Sequence, residues 1–436
     1  MAGLAAFGAP SVAGAGGYEG GQLASADLTE LSLEELMDIE VYSAAKKKQK
    51  MSDSAAAVYV LTSDDIRRSG AASLPELLRM IPGVEVAHID SSSWAVTIRG
   101  FNDFFSNKLL VMIDGRSIYT PLFAGVYWDV QDTLLEDIER IEVVRGPGGT
   151  LWGANAVNGV INIITKSAKD TQGFLIAGGG GTEEKGFGEM RYGAELGENV
   201  YGRFYAKGFN RDGFGDPPGG EADDAWHSWR GGFRIDWDPA DDDHWTFQGD
   251  LYNGNNDSVV NRPSFTAPGF VETIMDETNV AGGNVLARYR HSFAGGSELE
   301  LQTYYDRTER QDANLIEYRD TVDFAAQHRF RPLEGHEVVW GLGYRINGDQ
   351  IGSSFNFVFD PSRRNTDVIS GFAQDEISLL DDRLRLTLGA KLEHNSYTGF
   401  EFQPNGRFLL KVGERRTLWG AVSRAVRTPS RAEDDV

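Results

Sequence analysis

The chain contains no cysteine, which excludes disulfides, thiolate metal sites and cysteine nucleophiles. It also has no run close to the roughly 18 apolar residues that a membrane-spanning helix needs. Positive charge is scarce, with 42 lysines and arginines against 65 aspartates and glutamates, and the formal net charge is −23. Such a surface repels phosphate backbones, so we expect no nucleic-acid partner.

Histidine is sparse as well. The 7 histidines show no H-x-x-x-H spacing and no paired-carboxylate spacing. These are the patterns that hold metal ions or build a catalytic centre. We therefore predict no metal site, no cofactor and no catalytic residues, and the chain is not expected to be an enzyme.

Glycine and aromatic residues are plentiful, because the chain has 52 glycines and 11% aromatics. This is unusual for a globular α/β enzyme. A transmembrane β-barrel has such a composition, since only every second strand residue faces lipid. A large soluble β protein is the alternative that composition alone leaves open.

The most informative stretch is 137–166, which reads DIERIEVVRGPGGTLWGANAVNGVINIITK. Its β-branched residues favour a strand on either side of a turn built from Gly146-Pro147-Gly148-Gly149. The motifs Ile98-Arg99-Gly100-Phe101 and VMIDGR at 111–116 precede it. Together, and in this order, they resemble the plug domain of TonB-dependent outer-membrane receptors, over about residues 55–168.

The resemblance implies a mixed α/β plug domain followed by an antiparallel transmembrane β-barrel. Helix and strand signals inside the plug agree with a small mixed domain, and Ser73 with Glu76 has capping-box spacing. The predicted elements are a strand over Val58–Leu61, helices over Ser63–Ser69 and Ser73–Ile81, and strands over Val84–Ala87, Val96–Arg99 and Leu109–Ile113.

After Lys169 apolar residues recur with period two, the pattern of a strand with one apolar face. We count about 13 such strands, joined alternately by tight turns and long loops, as at the two rims of an outer-membrane barrel. The long loops are predicted at Asp212–Asp224, Asp257–Thr278 and Gly352–Asp367. In the strand at 383–393, lipid-facing residues are predicted to be Leu384, Leu386, Leu388 and Leu392, and lumen-facing residues Arg385, Lys391 and Glu393.

The resemblance also sets the expected domain order. A plugged transporter barrel has about 22 strands, so we expect its C-terminal part to be missing, because the sequence is either a fragment or a truncated gene model. The predicted domains are a signal-peptide remnant or flexible leader at 1–26, an N-terminal segment at 27–54, the plug at 55–168 and a partial barrel at 169–436.

An alternating segment lies ahead of the plug, followed by the basic run 46–50, which we expect to be solvated. In the family a segment of this character is the TonB box, which pairs by strand addition with the energy-transducing protein TonB. A simple linker is the alternative. The predicted TonB-binding residues are Ile39, Glu40, Val41, Tyr42, Ser43 and Ala44.

Arg99 and Arg145 stand beside glycines at predicted strand ends. The resemblance implies that they pair with barrel carboxylates and hold the plug in the lumen, for which an arginine fork is suited. Glu376 is the predicted partner, and Asp375 is the next candidate. Alternatively, each arginine binds local carbonyls inside the plug.

Aromatic residues concentrate in two irregular stretches of the plug, at 102–108 and 117–129. We consider them for ligand contact, and packing against the barrel wall is an equal alternative for each. The predicted ligand-binding residues are Phe104, Phe105, Tyr119, Phe123, Tyr127 and Trp128.

The resemblance implies a receptor in the bacterial outer membrane that actively imports a scarce nutrient. In this family the ligand is usually an iron-siderophore complex, with cobalamin, haem or another metal chelate as alternatives. The implied partners are the TonB-ExbB-ExbD energy-transducing complex, outer-membrane lipid and the small ligand. A passive porin would have no plug, and a signalling receptor would carry an additional folded N-terminal domain.

Overall fold

The computed structural model describes residues 40–100, 102, 103, 105–216, 220, 221, 224–265, 269–413 and 416–436. The predicted leader at 1–26, and Ile39 and Phe104 among the predicted site residues, lie outside the described residues. The described chain forms a small mixed domain and one large antiparallel sheet.

The mixed domain is the predicted plug. A five-stranded sheet with the order β3-β8-β9-β6-β7 is its centre, and β6 with β9 is the parallel pair. The strands of the whole mixed domain are β1 (Glu40–Val41), β2 (Gln49–Lys50), β3 (Ala57–Thr62), β4 (Val84–His88), β5 (Trp94–Ile98), β6 (Leu109–Ile113), β7 (Arg116–Ser117), β8 (Ile138–Arg145) and β9 (Gly159–Thr165). The pairs β1-β2 and β4-β5 form separate two-stranded sheets.

Short helices complete the plug: α1 (Ser63–Ser69), α2 (Leu74–Leu78) and α3 (Gly149–Trp152). Single 3-10 turns lie at Met51–Asp53, Trp128–Val130, Leu135–Asp137 and Ala168–Thr171. The apolar faces of α1 and α2 pack on the sheet in one core cluster that includes Leu61, Ile66, Leu74, Leu77, Val143 and Ile161. This burial is what joins helices and sheet into one domain.

The predicted strands and the helix at Ser63–Ser69 are confirmed within a residue or two. That helix begins with a capping box that was not predicted. Thr62 and Asp65 form it by exchanging side-chain and backbone hydrogen bonds. The capping box predicted at Ser73 is wrong, because Ser73 makes no side-chain cap bond. Glu76 instead accepts from the indole of Trp94 at 3.2 Å.

The large sheet has 13 strands, which confirms the predicted number. Each strand pairs antiparallel with the next one along the sheet, and β10 and β24 are its two outer strands in the described part of the chain. Its strands are β10 (Gly173–Gly179), β11 (Glu184–Gly197), β12 (Val200–Arg211), β15 (Trp226–Ala240), β16 (Asp243–Pro263), β17 (Val271–Ser292), β18 (Glu298–Gln311), β19 (Ile316–Phe330), β20 (His336–Gly352), β21 (Arg363–Leu379), β22 (Leu384–Asn395), β23 (Gly399–Lys411) and β24 (Thr417–Ser423).

A separate ladder of β13 (Gly215–Asp216) and β14 (Gly220–Glu221) lies in the connection between β12 and β15. A last short helix, α4 (Arg431–Asp434), follows β24. Among the described residues, no helix is long and apolar enough to cross a membrane.

Long connections follow β12 and β20, as predicted, but the alternation of tight turns and long loops is not regular, since the connections 312–315 and 396–398 are short. One predicted long loop is also wrong. The segment 257–278 is mostly strand, because β16 and β17 stay paired from Asp243↔His291 up to Pro263↔Val271. The two strands contain 21 and 22 residues, so they form a long hairpin on the side of the longer connections.

Strand β22 has the predicted two-faced pattern. Leu388 and Leu392 are 57% and 50% exposed, whereas Lys391 and Glu393 are 7% and 4% exposed. The buried residues face the plug, since Glu393 accepts from the backbone N–H of Ala154 at 3.4 Å. The outer face of the sheet is therefore the apolar one and the inner face the polar one, which fits a barrel in lipid.

Candidate functional site at the interface of plug and barrel

The N-terminal segment 40–50 is docked on the plug sheet through a buried carboxylate. Glu142 lies in the middle of β8 and is 0% exposed. It accepts from the backbone N–H of Tyr42 at 3.0 Å and of Ser43 at 2.7 Å, and from Arg140 Nε at 2.8 Å. These donors offset the cost of removing the carboxylate from water.

Side chains of the plug also hold Ser43. Trp152 Nε1 donates to the Ser43 carbonyl at 2.9 Å, and Asn162 Nδ2 donates to its hydroxyl at 3.1 Å. The chain then turns, because Lys46 N–H donates to the Tyr42 carbonyl at 2.8 Å and Lys46 has a φ of 55°. The extended strand predicted over 39–44 is thus confined to Glu40–Val41 in the described residues.

The basic run at 46–50 is solvated only in part: Lys48 and Lys50 are exposed as predicted, whereas Lys46 and Lys47 are not. Lys47 is 9% exposed, and its ammonium lies 2.9 Å from Glu376 and 3.4 Å from Glu337 of the barrel. Lys46 Nζ lies 4.6 Å from the ring centroid of Trp152 and 4.8 Å from that of Phe372. Burial, with repulsion from Lys391 as the next cause, lowers the pKa of Lys46 to about 7.

Backbone carbonyls of the same segment face the barrel wall. Gln327 Nε2 donates to the Lys46 carbonyl at 2.9 Å, and Arg407 donates to the Ala44 carbonyl at 3.3 Å. The segment therefore touches the plug on one side and the barrel on the other. Its removal would break contacts with both.

The predicted pairing of Arg99 and Arg145 with Glu376 is wrong, since Glu376 binds Lys47. Arg145 ends β8 and donates to the Pro82 carbonyl of the plug at 3.1 Å, which is the alternative that we left open. Arg99 has a φ of 61° in the turn after β5, and its side chain is exposed. Its guanidinium lies beside Gly146 of the plug.

Most of the ion pairs that join plug and barrel have the opposite polarity to the prediction, with carboxylates on the plug and cations on the wall. Arg116, which pairs with Asp306, is a plug cation that follows the predicted polarity. The acidic plug residues and their barrel partners are Asp53 with Arg385 and Lys411, Asp114 with Arg234, Asp129 with Arg310, Asp132 with Lys207, and Asp137 with Arg191 and Arg203.

A sequence signal for these cations existed. Arg203 and Lys207 lie four residues apart in one strand, so they share one face. Strands with such cations opposite an apolar face indicate a wall that meets acidic groups.

The predicted ligand-binding aromatics divide into a cluster at the apex and a core residue. Phe105, Phe123 and Tyr127 form a chain of rings with centroid separations of 5.1 and 5.0 Å. The Tyr127 hydroxyl donates to Glu317 at 3.0 Å, and the Arg310 guanidinium lies 4.3 Å from its ring centroid. Burial raises the pKa of Tyr127 well above its ordinary value.

The prediction of Trp128 as a ligand contact is corrected, because its side chain is 6% exposed and belongs to the main apolar core of the plug. Burial raises the pKa of Tyr119, whose side chain reaches Thr428 after β24. Phe105 is 52% exposed and is the most open member of the described cluster. Tyr119 and Tyr127 also line a cavity of about 520 Å³ between plug and barrel.

Comparison with known families decides the assignment. A family model described as the TonB-dependent receptor plug domain matches residues 50–160, and one described as the TonB-dependent receptor-like β-barrel matches residues 172–436. The chain belongs to the TonB-dependent receptor family. The receptor accordingly lies in the bacterial outer membrane, and its large sheet is part of a barrel. The family consists of receptors and transporters.

Curated relatives of the receptor are named vitamin B12 transporter BtuB. The protein from Vibrio cholerae is 27% identical over 387 residues, which are 84% of this chain and 60% of the relative. The one from Photobacterium profundum is 30% identical over 78% of this chain and 52% of the relative. The chain thus spans less than two thirds of these relatives.

Solved structures share the fold of the receptor. The siderophore receptor PirA from Pseudomonas aeruginosa has a TM-score of 0.66 and 20% identity, covering 86% of this chain and 62% of its own. The copper transporter OprC has a TM-score of 0.66 and 16% identity, covering 85% of this chain and 65% of its own.

Proposed function

We propose that the receptor binds a small metal chelate at the apex of the plug and imports it when the TonB-ExbB-ExbD complex pulls on the N-terminal segment. The docked segment 40–50 is the observation that supports this proposal. It is held by hydrogen bonds to Glu142 and by the ion pair of Lys47 with Glu376, which are separate and breakable contacts. A segment fixed in this way transmits force to both the plug and the wall.

The residues from Ile39 to Ala44 are the proposed TonB-binding site. Strand addition takes most of its affinity from main-chain hydrogen bonds. The N–H groups of Tyr42 and Ser43 are occupied by Glu142 in the docked state. TonB therefore binds these residues only after the segment has left Glu142.

The proposed ligand contacts are Phe105, Phe123, Tyr127 and Tyr119, with Phe104 retained as a prediction. Rings at the mouth of a polar cavity suit a ligand with both apolar and amide surface. The names of the curated relatives make a corrinoid the first ligand to test. The ferric siderophore expected from the sequence stays the second, as the usual ligand of the family.

The test is an uptake assay with the complete receptor in cells that lack their own receptor for the probe. We expect cobalt-labelled cyanocobalamin or an iron-labelled siderophore to bind with or without TonB, and to accumulate only with TonB. Accumulation without TonB would indicate a passive porin. Neither binding nor accumulation of either probe would contradict the proposed ligand class.

A further inference from the structure

The inner wall of the barrel has a row of small side chains on three adjacent strands. Ala325 of β19, Gly343 of β20 and Ser370 of β21 lie side by side in register. In the same row, Gln302 precedes them on β18 and Glu393 follows them on β22.

The two flanking residues reach the plug, and the three small ones leave a gap. Gln302 Nε2 donates to the Gly115 carbonyl at 3.2 Å, and Glu393 accepts from Ala154 N–H at 3.4 Å. Between these contacts the wall and the plug are separated by the cavity, which has Met112 and Asn162 on its plug side. The gap is therefore a groove with plug contacts on both of its edges.

The groove continues towards the apex along an ion pair and then a row of neutral polar groups. The next row contains Asp323 and Arg345, which pair with each other at 2.9 Å. The row after that contains Thr321, Asn347 and Thr366, and Thr321 donates to Asn347 at 2.9 Å. All these residues line the same cavity as Tyr119 and Tyr127 of the plug apex.

The docked segment closes the other end of the groove. The row on that side contains Gln327, Gly341 and Phe372. Gln327 binds the Lys46 carbonyl, and the Lys46 ammonium lies over the Phe372 ring. Tyr42, Lys46 and Lys48 line the cavity at this end, so the segment blocks the groove there.

We propose that this groove is the route by which the ligand crosses the barrel. Withdrawal of residues 42–48 opens its lower end, and the ligand then passes between the wall of β19–β21 and a plug sheet that stays in place. The inference rests on the proposed function and adds the location of the path. The cavity of about 520 Å³ lies within the usual range of small-molecule sites, roughly 300 to 1,000 Å³.

The lining also selects the chemistry of the ligand. Its hydroxyl and amide side chains bind neutral polar groups, and two of its arginines are neutralised by carboxylates, Arg345 by Asp323 and Arg319 by Glu317. A chelate with an amide-rich, uncharged surface fits this lining better than a polyanion does.

The first experiment needs no ligand. Single cysteines at Ser370, Gly343 and Gln403 of the complete receptor are labelled with a water-soluble maleimide in cells with and without TonB. Gln403 is the control, because it also faces the lumen but is 0% exposed against α3, whose Thr150 donates to its carbonyl at 3.0 Å. We expect TonB to raise the labelling rate roughly tenfold at Ser370→Cys and Gly343→Cys, a barrier change of about 1.4 kcal/mol, and not at Gln403→Cys.

An equal rise at Gln403→Cys would mean that the plug leaves the barrel as one body and would overturn the proposal. No rise at Ser370→Cys and Gly343→Cys would overturn it as well. These outcomes do not depend on whether cyanocobalamin or a siderophore is imported, so they are separate from a failure of the proposed function.

The second experiment fills the groove. Ser370→Phe is compared with Ala373→Phe, which places the same ring on the exposed outer face of β21. With labelled cyanocobalamin or siderophore as the probe, Ser370→Phe should lower TonB-dependent uptake about tenfold or more and leave binding unchanged, since a blocked path raises the barrier and not the affinity. Wild-type uptake by Ser370→Phe would overturn the proposal; Gly343→Leu replaces it if Ser370→Phe does not assemble.

Discussion

At the scale of single residues, the plug is fastened mainly by its carboxylates. Asp137 is 1% exposed and faces both Arg191 and Arg203 of the wall. Removing the carboxylate of such a cluster is costly, because the two guanidinium groups then stay buried without a counter-ion. Arg99 and Arg145, which the sequence put forward for this role, have local positions in the plug.

We predict that Asp137→Asn loosens the plug and sensitises cells to antibiotics too large for ordinary porins. Leaving the buried guanidinium groups without their counter-ion costs about 3 to 5 kcal/mol. The Arg99→Ala, Arg145→Ala double variant is the matched control and should keep wild-type resistance. Antibiotic sensitivity is measured at equal surface abundance. Leak through the double variant and none through Asp137→Asn would restore the arginine lock.

Lys46 makes docking of the N-terminal segment depend on pH. Its pKa is lowered to about 7 in the docked state, and the released side chain has an ordinary value of roughly 10.4. Between these values the released state binds more protons, so docking becomes more favourable as pH rises from about 7 to about 10. Protonation at the lower end of this window favours release.

The measurement is the labelling rate of Ser43→Cys in isolated membranes, where a docked cysteine is protected. We expect slower labelling at high pH, after correction for the reactivity of a free thiol. Lys46→Met should remove the dependence. An unchanged dependence in Lys46→Met would assign it to another group, such as Lys391.

At the scale of elements, the short strand pair β1 and β2 engages main-chain groups of the docked segment. Its register is Glu40↔Lys50 and Val41↔Gln49, so a few main-chain bonds extend the docked segment. Strand addition to TonB would use the same main-chain groups. Under the proposed function, docking and TonB binding compete for one piece of backbone.

We predict that Val41→Pro abolishes TonB-dependent uptake and spares ligand binding, because proline removes a main-chain donor. Glu142→Gln is the comparison, since it weakens docking without changing the backbone of the segment, and it should keep uptake. Labelled cyanocobalamin or siderophore serves as the probe. Normal uptake by Val41→Pro would move the TonB-binding site elsewhere.

Regular elements were predictable because their signals are local. Strand β6 is a short apolar run, and helix α1 stops at Gly70, so both signals lie within a few residues. The docked segment was not predictable, because the environment of Lys47 depends on Glu376, which is 329 residues away. A basic run looks solvated until its distant partners are known.

At the scale of the whole molecule, one sheet separates two environments. The outer face of β22 presents Leu388 and Leu392, and the inner face presents Lys391 and Glu393 to the plug. A register shift of one residue would exchange these faces along the whole strand. The plug and the lipid therefore fix the same register from opposite sides.

We predict that a lipid-soluble thiol reagent labels Leu388→Cys and Leu392→Cys, whereas Lys391→Cys and Glu393→Cys react with it poorly. The chain has no cysteine of its own, so each signal has one origin. The complete receptor in native membranes is the sample. Preferential labelling of the odd positions by the lipid-soluble reagent would place the strand in the opposite orientation.

The long hairpin of β16 and β17 affects which residues of the receptor are accessible at the cell surface. A tilted strand needs about 9 to 11 residues to cross the bilayer, and these strands contain 21 and 22. Roughly ten residues of each strand, at about 3.3 Å per residue, thus extend beyond the lipid as a two-stranded hairpin. Antibodies have access to residues above the lipid, which makes this hairpin a suitable place to insert an epitope tag for counting receptors on living cells.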